Sequence, residues 1–147
     1  MSINFEKICN NLSLGNIIEN AEKINGGITN QMYKIQTTKG KFAVKIINKH
    51  RIQKNKNILK NIEFSEQIAT IANLNNINSI SAIRFNNKYV QNIDDEYILV
   101  YKWCDGKILL TKEIDIEKVK IIANMLAKLH KIVPKSDIKS EKYTKID

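Results

Sequence analysis

The sequence predicts an α+β protein: an antiparallel sheet of approximately five strands packed with one main helix and followed by a second, linker helix. Three observations carry this. Residues 31–47 and 81–101 alternate in side-chain type with the period of two that half-buried strands show. Residues 57–74 repeat apolar positions at helical spacing between those two regions. The strands are joined mostly by hairpin turns, at Lys39-Gly40, Asn86-Asn87 and Asp94-Asp95.

Taken in order, Phe5, Ile8, Cys9 and Leu12 lie at helical spacing and predict a short amphipathic opening helix over 3–12. Leu14 to Ile24 is ambiguous, with Ala21-Glu22-Lys23-Ile24 able to enter the sheet as a first strand. Gly26-Gly27 then permits the positive φ angles of a tight flap between strands. Two strands follow. On the second, Phe42, Val44 and Ile46 share one face and Ala43, Lys45 and Ile47 the other. The polar, basic stretch from Asn48 to Asn57 reads as an exposed connection. The main helix carries a stripe of Ile58, Ile62, Ser65, Ala69 and Ala72, broadened by Leu59 and Ile68, with Glu63 and Glu66 near its edges. Three strands of a meander are expected at 81–85, 88–93 and 97–101. The last of these is apolar on both faces, hence central. Lys102 to Lys107 forms a glycine-marked exit. The linker helix starts at the N-cap Asp115, runs to Ile132 with Val119, Ile122, Leu126 and Leu129 as its stripe, and ends at Pro134.

A chain of 147 residues is large enough for a core without disulfide or metal staples. Cys9 and Cys104 lie far apart, lacking the spacing of a disulfide framework or a zinc site. The N-terminus has no signal-peptide apolar region and no uninterrupted apolar run approaches a membrane span, so a cytoplasmic protein with no membrane partner is expected. The formal charge of +9 raises the question of a nucleic-acid partner. The excess is nearly all lysine, scattered through a chain also rich in Asn and Ile, and arginine occurs only at Arg51 and Arg84. Nucleic-acid surfaces cluster charge and use arginine for base edges, so that partner is disfavoured.

A phosphate-binding flap needs backbone N–H groups with nothing bulky above them, plus a cation on a rigid element. Gly26-Gly27 with Thr29 and Asn30 offers the first, and Lys45 in mid-strand the second. The plain alternative is a hairpin with a solvated strand lysine. His50-Arg51 superficially matches a His-Arg-Asp catalytic loop with Asn57 at the right distance, but Ile52 stands where the aspartate belongs.

Gly26-Gly27-Ile28-Thr29-Asn30-Gln31-Met32-Tyr33-Lys34-Ile35 resembles the nucleotide loop of the aminoglycoside phosphotransferase and choline kinase family, whose nucleotide lobe is protein-kinase-like. Phe42-Ala43-Val44-Lys45 is similar to the Val-Ala-Ile-Lys strand of such lobes. Tyr97 to Gly106 is similar to their last sheet strand and hinge, and Leu126-Ala127-Lys128-Leu129-His130 resembles the Leu-Ala-x-Leu-His that precedes their substrate lobe. The resemblance spans roughly Ile24 to Ile132 and rests on the order and spacing of motifs that are each loose alone.

The resemblance implies ATP as the cofactor, with Lys45 on its α- and β-phosphates and the loop of Gly26, Gly27, Thr29 and Asn30 over them. A helix glutamate, Glu66 with Glu63 as its rival, is implied as the partner of Lys45. Ala43 leaves room above the adenine, Tyr101 sits behind it, and the backbone at Lys102 and Cys104 meets its edge. Cys104 is then a small hinge residue, and Trp103 either shelters the pocket mouth or packs elsewhere. The organisation implied is a nucleotide-binding lobe over 1–106, a hinge and linker helix over 107–133, and a polar tail over 134–147. No His-Gly-Asp-x-x-x-x-Asn loop and no Asp-x-Asp or Asp-Phe-Gly magnesium site occurs in the chain. The catalytic residues and Mg²⁺ ligands are therefore expected in a helical lobe beyond Asp147, without which the chain is inactive. The alternatives are a non-catalytic interaction module that self-associates or docks a partner lobe, and a basic nucleic-acid binder.

Overall fold

In the computed structural model, which describes residues 3–24, 29–106 and 109–132, five strands form one antiparallel sheet. They are β1 (Ile17–Ile24), β2 (Gln31–Thr37), β3 (Gly40–Ile46), β4 (Gln91–Ile93) and β5 (Glu96–Lys102), arranged in the order β1-β2-β3-β5-β4. The described helices are α1 (Phe5–Asn11), α2 (Lys49–Lys54), α3 (Ile58–Leu74) and α4 (Ile116–His130), with a 3-10 turn at Thr111–Glu113 before α4. The predicted α+β class with a five-stranded antiparallel sheet is the one observed.

Alternation decides what each face of the sheet buries. On one face Ile35, Phe42, Val44, Ile46, Ile98 and Val100 pack with Ile8, Cys9, Leu12 and Leu14 from α1 and the turn after it. On the other, Ala43, Ile47, Leu99 and Tyr101 pack with Leu59 and Ile62 of α3 and with Ala82 and Tyr89. β5 is buried on both faces from Ile98 to Tyr101, as its two-sided apolar sequence predicts, and it lies between β3 and β4. Filling such a position with a branched aliphatic side chain contributes about 1.5–3 kcal/mol.

Local chemistry fixes the elements. Asn4 caps α1 by accepting from the Lys7 N–H at 2.9 Å. Gly15 then turns the chain into β1 at φ +90°, where a Cβ would also lie 2.5 Å from Thr38 Oγ1, so only glycine fits. β2 and β3 pair without a break from Gln31↔Ile46 to Thr37↔Gly40. The buried Thr37 hydroxyl donates to the Leu14 carbonyl at 2.6 Å and ties this hairpin to the turn after α1. β1 extends well N-terminal of Ala21. Its pairing with β2 is interrupted twice, between Ile17 and Glu19 and between Glu19 and Glu22.

Two expectations are corrected. The stretch from Asn48 to Asn57 contains a helix, α2, started by Asn48, whose side chain accepts from the His50 N–H at 2.9 Å. Its absence of a buried residue explains why no apolar periodicity announced it. The first strand expected in the meander, 81–85, is not formed, and the second shortens to Gln91–Ile93. Side chains of α3 take the backbone groups that a strand partner would otherwise satisfy. Glu66 Oε2 accepts from the Ala82 N–H at 2.7 Å, and Asn73 Oδ1 accepts from the Ser79 N–H at 3.0 Å. Glu63 accepts from the N–H groups of Tyr89 and Val90, the latter at 2.7 Å. What remains of that hairpin is a bridge between Phe85 and Lys88 around Asn86 and Asn87, both at positive φ.

These bonds also revise the face that α3 turns to the sheet. Leu59, Ile62, Glu63, Glu66 and Thr70 face inward, with Tyr89 donating its hydroxyl to Thr70 Oγ1 at 2.9 Å. Ser65, Ile68, Ala69 and Ala72, which share the predicted stripe, instead line an apolar cavity of about 400 Å³ against Ile122, Met125, Leu126 and Leu129 of α4. α4 begins at the predicted cap, Asp115 accepting from the Lys118 N–H at 2.9 Å. Its Ile116, Val119, Ile121, Ile122 and Leu126 are exposed. The tail from residue 133 onward, Pro134 included, lies outside the described residues.

Candidate functional site

The pleat brings the candidate residues to one face of the sheet. On β3, Ala43 and Lys45 point to the α3 side with Ile47, and Val44 points to the α1 side. Ala43 pairs with Lys34 on β2 and with Tyr101 on β5, while Lys45 pairs with Met32 and Leu99. The face therefore presents Met32, Lys34, Ala43, Lys45 and Tyr101 together. Trp103 follows β5 by one residue and continues the ladder, its N–H donating to the Lys41 carbonyl at 3.0 Å.

Lys45 is half-buried and is the last residue but one of β3, nearer the strand's end than the mid-strand position expected of it. Among the described residues no ion pair joins it to Glu63 or Glu66. Both carboxylates are engaged elsewhere. Glu66 accepts from Tyr101 Oη at 2.7 Å as well as from Ala82, and Glu63 holds the backbone of Tyr89 and Val90. Burial pushes the Tyr101 phenol well above its ordinary value, and the hydrogen bond to the Glu66 carboxylate adds to the shift. Tyr101 is thus a neutral donor that fixes Glu66 against the sheet, one side-chain step along the face from Lys45.

Gly26 and Gly27 lie outside the described residues, and the flap is seen from its C-terminal end. Asn30 Oδ1 accepts from the Asn48 N–H at 3.1 Å, and Thr29 Oγ1 accepts from Arg51 Nη1 at 3.4 Å. Both contacts tie the two residues before β2 to α2 and its cap. Sequence reasoning missed this anchor, although Asn48 before a polar run is a recognisable helix start. His50 and Arg51 accordingly serve a short helix beside the flap. At the other end of the face, Lys102 is the exposed last residue of β5 and pairs with Phe42. Cys104 is exposed and free, its Sγ 3.8 Å from the Asp105 carbonyl.

A second cluster went unread in the sequence. Lys34 Nζ lies 5.0 Å from the centroid of a Trp103 ring and 3.7 Å from Glu22 Oε2. Trp103 Nε1 donates to Asp105 Oδ1 at 2.9 Å. The register of β2 against β3 was needed to bring Lys34 to this face.

Chemically the face combines an ammonium with no counter-ion among the described residues, a small side chain beside it and an aromatic plane. That set suits a planar, polyanionic ligand. No group of three His, Cys, Asp or Glu side chains able to hold a metal gathers among the described residues. No described helix is long and apolar enough to cross a membrane. Compared with protein-family models and with curated proteins, the chain matches none.

Proposed function

We propose that the chain is the ATP-binding lobe of a small-molecule phosphotransferase resembling aminoglycoside and choline kinases. The observation that carries the reading is Lys45, a half-buried cation on the middle strand with no ion-pair partner among the described residues. It shares its face with Ala43, Tyr101 and the helix that bears Glu66. Support also comes from order along the chain: the glycine-bearing segment between β1 and β2, the lysine on β3, the glutamate helix α3 after the short α2, and the exit after β5. On this reading Lys45 grips the α- and β-phosphates, the flap covers them, and the base lies over Ala43. The complete enzyme transfers the γ-phosphoryl of ATP to a hydroxyl of a small cationic acceptor, in the cytoplasm. The base and Mg²⁺ ligands come from a further segment, since the 147 residues encode no matching motif. This lobe alone binds nucleotide weakly at most and does not turn it over.

Isothermal titration of ATP–Mg²⁺ into the wild-type chain and Lys45→Ala tests the grip. A charge-assisted contact to phosphate is worth about 1.5–3 kcal/mol, so affinity is expected to fall about tenfold or more in the variant. Equal binding by the two proteins removes Lys45 from the site.

A second reading, a non-catalytic interaction module, is favoured by the apolar residues that α4 leaves exposed. The two readings are compatible, because a nucleotide lobe that works with another lobe needs such a face.

A further inference from the structure

The phosphate grip leaves an aromatic plane on the same face unused. Trp103, the chain's single tryptophan, is half-buried and packs against the cluster that contains Ala43, Leu99 and Tyr101. It extends from the β5 side of β3, while Lys34 extends from β2 on the other side, at the register position of Ala43. Their cation–π contact, 5.0 Å from ammonium to ring centroid, therefore spans β3 at a residue whose side chain is a single methyl. The ring is held in orientation by its Nε1 donating to Asp105 Oδ1. Lys34 is held much less firmly. Its carboxylate neighbour Glu22 is 3.7 Å away with a side chain 71% exposed, a setting in which ion pairs contribute little.

We propose that Trp103 is the base-stacking residue of the nucleotide site and that Lys34 is its displaceable cover. The proposal rests on the nucleotide reading given above. A purine offers the indole a π-face that is flat and of comparable size, and stacking on an oriented ring loses little conformational freedom. The Lys34 ammonium leaves the ring as the base arrives and stays on the face that carries Lys45. An oriented plane at one end and two lysines toward the other give the site its polarity, base at the β5 exit and phosphates toward the flap.

The single tryptophan makes the test direct. Emission of Trp103 is followed while ATP–Mg²⁺, and separately adenosine, are titrated into the 147-residue chain, with calorimetry on the same samples. Quenching that saturates with the calorimetric isotherm, and protection of the indole from acrylamide, are expected. Trp103→Ala is expected to lose about tenfold in affinity for adenosine, and Trp103→Phe, which keeps a stacking ring and guards against misfolding, to lose less. Lys34→Ala removes the competing cation and is expected to tighten adenosine binding about two- to fivefold. Calorimetric binding of ATP with unchanged indole emission and unchanged acrylamide access places the base elsewhere and overturns the proposal, while the nucleotide reading survives. Unchanged adenosine affinity in Lys34→Ala overturns the role of Lys34. No binding of either ligand overturns both the stacking proposal and the reading beneath it.

Discussion

Glu66 answers two donors at once, the Ala82 amide and the Tyr101 hydroxyl, and both sit in the interior that α3 closes against the sheet. Its removal leaves each without a partner, at about 1–3 kcal/mol per group. Glu66→Ala is therefore expected to lower unfolding stability by about 2–5 kcal/mol, read as a fall in the urea midpoint at constant slope. Lys45→Ala breaks no ion pair among the described residues and is expected to stay within about 1 kcal/mol of wild type. Equal losses in the two variants would instead mark a Lys45–Glu66 pair as the stabilising contact. The placement of Lys45 beside Ala43 was legible in the sequence, because strand alternation alone sets which residues share a face. The bond from Glu66 to Ala82 was not, because it depends on the path of residues 77–90, which no local pattern specifies.

Among the elements, those with a clean period were legible. β2 and β3 carry the alternating pattern, β5 an apolar run on both faces, and α4 both a periodic stripe and an N-cap. α3 was found with its extent nearly right but turned on its axis. The face it gives the sheet contains two carboxylates and a threonine, so its apolar residues do not mark the buried side. The β4–β5 turn shows how side-chain chemistry sets a hairpin: Asp94 at φ 53° and Asp95 at φ 61° both occupy the left-handed region. Two such residues match the right-handed twist of the strands they join. A β-branched residue resists that conformation, so Asp95→Val is expected to lose about 1–2 kcal/mol in thermal or urea unfolding. Asp95→Gly is expected to show no loss. Similar losses in both variants would mean that the carboxylate, not the backbone angle, matters at this position.

For the whole molecule, the two sides of α3 differ in how they are finished. Its sheet side is closed by hydrogen bonds, whereas toward α4 an apolar cavity of about 400 Å³ remains and much of α4 beyond it is exposed. Ile116 is 73% exposed and Val119 53%, consecutive positions of one helical stripe. Sedimentation velocity of the chain is expected to show association that rises with concentration and is abolished by Ile116→Lys with Val119→Lys. A clean monomer at every concentration argues against α4 as a contact surface. The outer edge of the sheet behaves differently from α4. The pairing of β1 with β2 slips twice within eight residues, and Glu19, Glu22 and Lys23 stand exposed along the strand. A regular row of free amides and carbonyls invites further strands to add on, and a kinked, charged edge refuses them. Contacts between copies are thereby steered away from open-ended strand stacking, and a chain so rich in β-branched isoleucine is guarded against fibre growth at that edge.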